Sequence, residues 1–446
     1  MNLEDKLYGF LKIYKPLPYF LKYFIGYMYR LLPNRIKFGE FYFEYLNRII
    51  HLDKSTAHNL LKEQLTFVKN NITHYKGSDY NGICDFPIID KNLIIKNRQN
   101  FVSSSNQNKI KANTGGSSGT PFEFYLEKGV SRPKEKAHFD WYWKQFGYKK
   151  NSKILVVRGE ALANNKLYEF QSIENKLAIS CYLINKDNIF DVIDVINKFQ
   201  PKFIHAYPSS LKNLINNIEQ SNKILNINIK AVFLGSEGMF QGDKEKIGNY
   251  FNAKISHWYG HSERLIHAGN CLYSDEFHIF NFYGYAELVD YNGKIINSPN
   301  VKGKIIATGF DNRVMPLVRY DTGDEAEYSE KIKCKCGFKG KSFKIIHGRQ
   351  QDYIYLNDGT KVSLTAFIFG QHFEEFNNIN ELQIIQKIKG VILIKIVLNR
   401  SISNQEFINK LKNSVEGKLI VTLQIVLEIT KTKRGKHMFL IQKVNK

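Results

Sequence analysis

Cysteine is scarce. Five cysteines in 446 residues exclude a disulfide framework. Long apolar runs are missing as well. Residues 7–32 come nearest, but Lys12, Lys15, Lys22 and Arg30 interrupt them too often for a membrane span. The same stretch lacks the compact apolar region and cleavage site of a secretory signal. These absences predict a protein of the reducing cytoplasm. Acidic side chains are also short: 42 against 64 basic ones, a net charge of +22. Such an excess suits nucleic acid, an anionic membrane surface or anionic substrates. No Arg-rich stripe and no zinc-finger spacing accompany it, so the expectation is no nucleic acid. No internal repeat is visible.

What is present is ample core material. Hydrophobic residues make up 43% of the chain, which excludes global disorder, and the length predicts two or more domains. Residues 1–110 read as mostly helical, broken at Pro16, Pro18 and Pro33. Within them, residues 7–32 mix Tyr, Phe, Leu and Ile with Lys. That pattern fits a helix packed on its domain with snorkelling Lys stems. It also fits an interfacial helix making peripheral contact with a membrane.

From Lys153 strands and helices alternate. Strands are predicted at Ile154–Val157, Phe203–Tyr207, Ala231–Gly235 and Ile255–Tyr259. Helices are predicted at Asn188–Phe199, Ser209–Gln220 (capped by Ser) and Asp243–Phe251. Such alternation predicts a parallel sheet, with ligands at the strand carboxyl ends. After residue 280 the pattern turns to strands at Tyr283–Asp290, Gly303–Thr308 and Leu317–Tyr320. Beyond Gly348-Arg349 comes a small α+β pattern: strands Leu382–Ile388, Val391–Leu398, Leu419–Glu428 and His437–Val444, and a helix Ser403–Val415. The fold class is therefore α/β. A large multi-layer domain with parallel and mixed sheets spans 1–348, and a small mobile α+β lid spans 349–446.

Residues 114–121 read Thr-Gly-Gly-Ser-Ser-Gly-Thr-Pro. Small residues and glycines bring backbone N–H groups into a concave nest for phosphate. Flexible linkers share that composition. No Lys closes the loop, and the strand-like Phe122–Leu126 follows it, so it is not a Walker A loop. Farther on stand Gly235-Ser236-Glu237-Gly238, Trp258-Tyr259-Gly260-His261-Ser262-Glu263 and Arg319-Tyr320-Asp321-Thr322-Gly323-Asp324. Gly348-Arg349 and Lys431-Thr432-Lys433-Arg434-Gly435-Lys436 complete the series. Singly each is weak. Asp-Thr-Gly-Asp is more often a turn than a site, and a terminal basic cluster is usually a solvated face.

In this order and spacing the motifs resemble the adenylate-forming superfamily, from about residue 110 to the end. The Thr-Gly-Gly loop and the segments Ala206–Leu211 and Phe282–Leu288 resemble its branch of phenylacetate–coenzyme A ligases and CapK-like capsular-polysaccharide proteins. The resemblance implies an enzyme: an ATP-dependent ligase that adenylates a carboxylic acid. The acyl group then passes to coenzyme A, an amine or an amino sugar, in cell-surface polysaccharide synthesis. Thr114, Gly115, Gly116, Ser117, Ser118, Gly119 and Thr120 would hold the ATP phosphates. Ser236, Glu237 and Gly238 would line the adenine pocket, with Tyr259 and Gly260 against the ring. Glu263 would hold Mg²⁺, Asp324 the ribose hydroxyls, and Arg349 the hinge side of the nucleotide. Lys436 would reach the α-phosphate, with Lys433 as the fallback. Gln351 departs from the usual Asp or Lys pivot. His205, Tyr207 and His261 flank the implied substrate pocket, although a lone His is more often structural. Aryl–coenzyme A ligation is the rival within enzymes. A non-catalytic protein at the inner face of the membrane is the rival of another class.

Cys271, Cys334 and Cys336 with His278 offer three thiolates and one imidazole, enough for a tetrahedral structural Zn²⁺. Free buried thiols are the alternative. His267 competes as the fourth ligand. Cys84 and Cys181 read as core residues.

Overall fold

The computed structural model of the chain describes residues 14, 17–51, 54–77, 79–104, 108–113, 123–158, 162, 166–180, 183–239, 242–349, 353–359, 361–363, 367, 375, 378–398, 400–413, 415, 417–430 and 438–444. The leading region is helical, as its spacing predicts: α1 (Tyr19–Leu31), α2 (Asn34–Phe38), α3 (Glu40–Ile50), α4 (Lys54–Asn71) and α5 (Lys91–Lys96). Pro18 and Pro33 stand just outside α1 and α2 at extended backbone angles. There a missing N–H removes no helical hydrogen bond. Asp90 caps α5 by accepting from the Leu93 N–H at 2.7 Å, which satisfies one orphan donor of the first turn.

The chain divides into two compact units. Unit 1 holds residues 1–152, 171–176 and 256–346; unit 2 holds 153–170, 177–255 and 347–446. In unit 1, β1 (Lys109–Asn113) and β2 (Glu123–Glu127) form an antiparallel hairpin with Asn113 opposite Glu123. The loop Thr114–Pro121 joins them and lies outside the described residues. Helix α6 (Ser131–Lys144) follows.

Unit 2 carries the alternating region. Its elements are β3 (Ile154–Arg158), β4 (Tyr168–Gln171), β5 (Lys176–Ser180), α7 (Ile189–Phe199), β6 (Phe203–Ala206), α8 (Pro208–Gln220), β7 (Ala231–Gly235) and α9 (Asp243–Phe251). The strand order is β7-β6-β3-β5-β4, with β3, β6 and β7 parallel. Ile154 to Val157 and all of β7 are buried, which is why they read as unbroken apolar runs. The core gathers Leu155, Val157, Ile193, Ile204, Leu214 and Val232. The Ser cap expected on α8 is corrected: Tyr207 takes the cap and Pro208 the first helical position. Proline's fixed φ and missing N–H suit that place.

From Ser256 the chain returns to unit 1. The strands are β8 (Lys254–Gly260), β9 (His267–Gly269), β10 (Phe277–Ile279), β11 (Gly284–Val289), β12 (Ile295–Ile296), β13 (Lys302–Gly309), β14 (Tyr320–Tyr328) and β15 (Ser342–Arg349). Their order is β12-β11-β13-β14-β15-β10-β9-β8, antiparallel wherever register is given. The strand expected over Leu317–Tyr320 begins only at Tyr320. Arg319 has φ 50°, a left-handed angle that does not continue a strand. Its buried guanidinium binds the Cys84 and Phe86 carbonyls at 3.1 and 2.9 Å and Glu287 at 3.2 Å. Phe86, Ile89, Phe124, Leu265, Leu288 and Phe343 mark this unit's core.

The C-terminal part of unit 2 contains β16 (Tyr353–Tyr355), β17 (Lys361–Ser363), β18 (Ile379–Ile388), β19 (Val391–Leu398), α10 (Asn404–Asn413), β20 (Ile420–Ile425) and β21 (Leu440–Gln442). Four strands make a sheet in the order β20-β19-β18-β21. Burial alternates along β19, so Ile392, Ile394 and Ile396 point to one face. Phe407 and Leu411 of α10 cover that face.

Candidate functional site

Unit 1 brings a tyrosine and a carboxylate together. Tyr259 is the penultimate residue of β8, and its hydroxyl donates to Asp324 Oδ2 of β14 at 2.7 Å. Burial, then the Asp324 charge, pushes the phenol well above its ordinary value, so it stays a donor. Asp324 is aimed by a local bulge of β14. Gly323 adopts φ 76°, its N–H binds Asp321 Oδ1 at 2.8 Å, and the Asp324 N–H binds Thr322 Oγ1 at 3.2 Å. The β13–β14 register shifts between Lys304 and Ile306. Asp-Thr-Gly-Asp is therefore a bulge inside β14 and not a turn between strands, and the bulge orients a carboxylate.

Glu263 lies three residues beyond β8 and is buried. It accepts from the Tyr320 hydroxyl at 3.1 Å. The Arg264 N–H closes the intervening turn on the His261 carbonyl at 3.0 Å. The His261 ring stands 6.2 Å from that of Tyr259. Gly260 lets the Trp258 ring lie close: a Cβ there would come within 3.2 Å of it.

Unit 2 presents a second cluster at the carboxyl ends of β3 and β6. Arg158 Nη1 lies 3.4 Å from His205 Nε2, and its guanidinium stands 4.8 Å over the Tyr207 ring. Sequence reasoning passed over Arg158. The signal was one charged residue closing the apolar run Ile154–Val157. Ser236 follows β7 at φ 68°, an angle rare for a residue with a Cβ. It reverses the chain into half-buried Glu237 and exposed Gly238. Arg349 closes β15. Thr114, Gly115, Gly116, Ser117, Ser118, Gly119, Thr120, Lys433 and Lys436 lie outside the described residues.

The cysteine cluster assembles within unit 1. One donor atom each from Cys271, His278, Cys334 and Cys336 lies within 4.8 Å of the others. Cys271 Sγ is 3.6 Å from Cys334 Sγ, and Cys336 Sγ is 3.4 Å from His278 Nε2. A tight turn presents the Cys-x-Cys pair: the Cys334 N–H binds the Phe338 carbonyl, and Gly337 takes φ 91°. The Tyr273 N–H donates to Cys271 Sγ at 3.3 Å. His278 Nδ1 faces Ser342 Oγ at 2.9 Å, leaving Nε2 toward the thiols. An outer partner on the far imidazole nitrogen is how metal-binding histidines are oriented. Burial raises the Cys271 thiol to about 12. A divalent cation reverses that preference, because it deprotonates coordinating thiols. The donor set fits a tetrahedral metal.

His267 does not join this cluster. It begins β9, with its ring between Trp258 and Phe280. Cys84 is exposed rather than core, because its carbonyl, not its thiol, faces inward to Arg319. Cys181 lies outside the described residues.

No family model matches the chain. It is 26% identical over 391 residues to the protein CapK of Staphylococcus aureus, covering 84% of this chain and 83% of that one. Among solved structures it resembles a 2-hydroxyisobutyryl-CoA ligase in the postadenylation state, in complex with an acyl-AMP. The TM-score is 0.64 at 12% identity, over 87% of this chain and 89% of that one. The anthranilate CoA ligase bound to anthranoyl-AMP gives a TM-score of 0.50 at 15% identity, over 73% and 65% of the two chains. This chain has the fold of these CoA ligases and is similar in sequence to CapK.

Proposed function

We propose that the chain is an ATP-dependent ligase that adenylates a carboxylic acid and transfers the acyl group to coenzyme A or an amine. The observation that carries this reading is the half-buried Tyr259–Asp324 pair beside buried Glu263, on a fold shared with ligases solved with acyl-AMP. Asp324 Oδ2 is held by Tyr259, and the carboxylate orientation this fixes suits a ribose diol. Glu263 would hold Mg²⁺, which would supply positive charge toward the phosphate oxygens. A substrate carboxylate oxygen attacks the α-phosphorus, and pyrophosphate leaves with the electron pair of the broken P–O bond. The acceptor thiol or amine then attacks the acyl carbonyl and gives up its proton to solvent, and AMP leaves with the electron pair of the broken C–O bond. The first step brings two anions together, so positioning and charge neutralisation carry it. Thr114–Thr120 cradle the phosphates on this reading. Ser236, Glu237 and Gly238 face the adenine, and His205, Tyr207 and His261 flank the acid. Lys436 arrives from a lid beginning at Arg349 and supplies the remaining positive charge. The net charge of +22 suits an anionic acceptor such as a sugar nucleotide, and the CapK likeness favours cell-surface polysaccharide synthesis at the inner face of the membrane. Structural Zn²⁺ at Cys271, His278, Cys334 and Cys336 belongs to the same reading.

The test is ATP–pyrophosphate exchange over a panel of acids. One or a few acids are expected to stimulate exchange, and Lys436→Ala to lower it by on the order of a hundredfold or more, the scale of losing one transition-state electrostatic contact. Folded protein that exchanges with no acid, or a Lys436→Ala variant that exchanges normally, would overturn the assignment.

A further inference from the structure

Helix α1 is anchored by its narrowest side. Gly26 is its buried residue, and a Cβ there would lie 2.5 Å from Ser172. Around that contact, Arg30 donates to the Ser172 carbonyl. The Ser172 hydroxyl donates to the Lys22 carbonyl and lies 2.8 Å from the Tyr14 hydroxyl. The opposite side is left to solvent. Phe20, Phe24 and Leu31 are 68%, 62% and 63% exposed, and Tyr27 and Met28 are each 48% exposed. At 100° per residue these positions share one broad face. Ile36 of α2 is also 53% exposed. A contiguous apolar surface of this kind marks an interaction site rather than ordinary surface scatter.

Basic side chains crowd the C-terminal end of the same helix. Lys37 Nζ donates to the Arg30 carbonyl at 3.2 Å, and Asn151 holds that carbonyl at 3.4 Å. Lys149 and Lys150, beside Asn151, are exposed. Burial, then the nearby Lys150 charge, brings Lys37 down to about 8. Cations pressed together gain from an anionic surface.

We propose that α1 docks in the plane of an anionic phospholipid surface, its Phe, Met and Leu side chains entering the acyl boundary and Lys149 and Lys150 meeting the head groups. None of the described helices is long and apolar enough to cross a membrane. A helix of 13 residues, about 20 Å long, lies on the surface instead. Tyrosines at its flanks suit the head-group level, where an apolar ring and a polar tip are both satisfied. A second copy is the poorer occupant: it would bring another +22 charge against the first. The inference is independent of the adenylation chemistry.

The experiment is flotation of the full chain with vesicles of phosphatidylglycerol and phosphatidylcholine, against phosphatidylcholine alone. Binding is expected only with phosphatidylglycerol and is expected to weaken with salt. The triple variant Phe20→Ser, Phe24→Ser, Leu31→Ser should bind at least about tenfold less while keeping its melting temperature. Lys149→Gln with Lys150→Gln should lose about fivefold per side chain. Phe24→Trp should shift its emission to the blue on adding vesicles. The proposal is overturned if the full chain stays with phosphatidylglycerol vesicles no better than without them. It fails equally if the triple variant turns a dimer into a monomer by light scattering, which makes the face a subunit interface. It fails too if the introduced Trp is already blue-shifted and shielded from quencher without lipid, which makes residues 1–13 the occupant.

Discussion

His267 offers a direct reading of the energetics of the strand pair that carries Tyr259. It pairs across the ladder with Gly260, one residue beyond Tyr259. Its ring is stacked with Trp258 at 5.2 Å and with Phe280 at 5.6 Å. It is 2% exposed, and neither ring nitrogen has a hydrogen-bond partner among the described residues. Burial, with the His261 charge adding, brings its pKa from 6.5 down to about 3. The unfolded chain therefore takes this proton first. Between pH 6.5 and 3 the unfolded state binds one proton more than the folded state, so stability falls as pH falls, by about 1.4 kcal/mol per unit. Above pH 6.5 the penalty is absent. From pH 7 to pH 5 the site should remove about 2 kcal/mol. His267→Phe keeps the ring stack and removes the titration, at a packing cost of about 1.5 kcal/mol or less. Urea unfolding of both proteins at pH 7 and pH 5, followed by tryptophan fluorescence, isolates the term, since the other titrating groups are common to both. The variant should lose about 2 kcal/mol less than the parent over that interval. Equal losses would refute the reasoning and show that the folded state admits the proton or a water at His267.

Three further outcomes follow from the same structure. Tyr259→Phe removes the 2.7 Å donor to Asp324, and should cost about 1.5–3 kcal/mol in urea unfolding, the worth of a hydrogen bond to a charge; a loss below measurement would mean water replaces the hydroxyl freely. Lys134→Met removes the donor to the Tyr283 carbonyl at 2.7 Å and the longer of two to the Phe310 carbonyl at 3.3 Å, and takes the ammonium from Asp311. That buried network should lose about 3–5 kcal/mol, visible as a lowered unfolding midpoint, whereas an unchanged midpoint would show that Arg48, whose Nη1 lies 2.8 Å from Asp311 Oδ1, is sufficient for Asp311. Purified protein should contain stoichiometric zinc by elemental analysis and lose it in Cys334→Ser, and Ser342→Ala should weaken its affinity by about 10–100-fold through the freed imidazole; zinc-free parent protein would end the metal reading.

Much of the fold is legible because it is written in local period. The buried run Ile-Leu-Val-Val, the helix spacing of Asp243–Phe251 and the alternation of Val391–Leu398 are each answered by the observed element. The misreadings fall where local pattern is silent. Arg319 looks like the end of a strand until its left-handed angle and its buried contacts are seen. Ser209 looks like a cap until proline's fixed φ claims the first turn. Arg158 gave little sign of its partners, because His205 and Tyr207 reach it across parallel strands.

By itself, the sequence determined the donors, the turn residues and the order of the motifs, because residue type and near-neighbour spacing set ionisable chemistry and backbone angle. Tertiary structure decided which donors meet. His267 and His278 are equivalent as letters, yet strand pairing puts one between aromatic rings and turns the other toward three thiols, with Ser342 behind it. Asp324 became a partner of Tyr259 in the same way, since register across distant strands is set by the packing of the whole sheet and not by any segment within it.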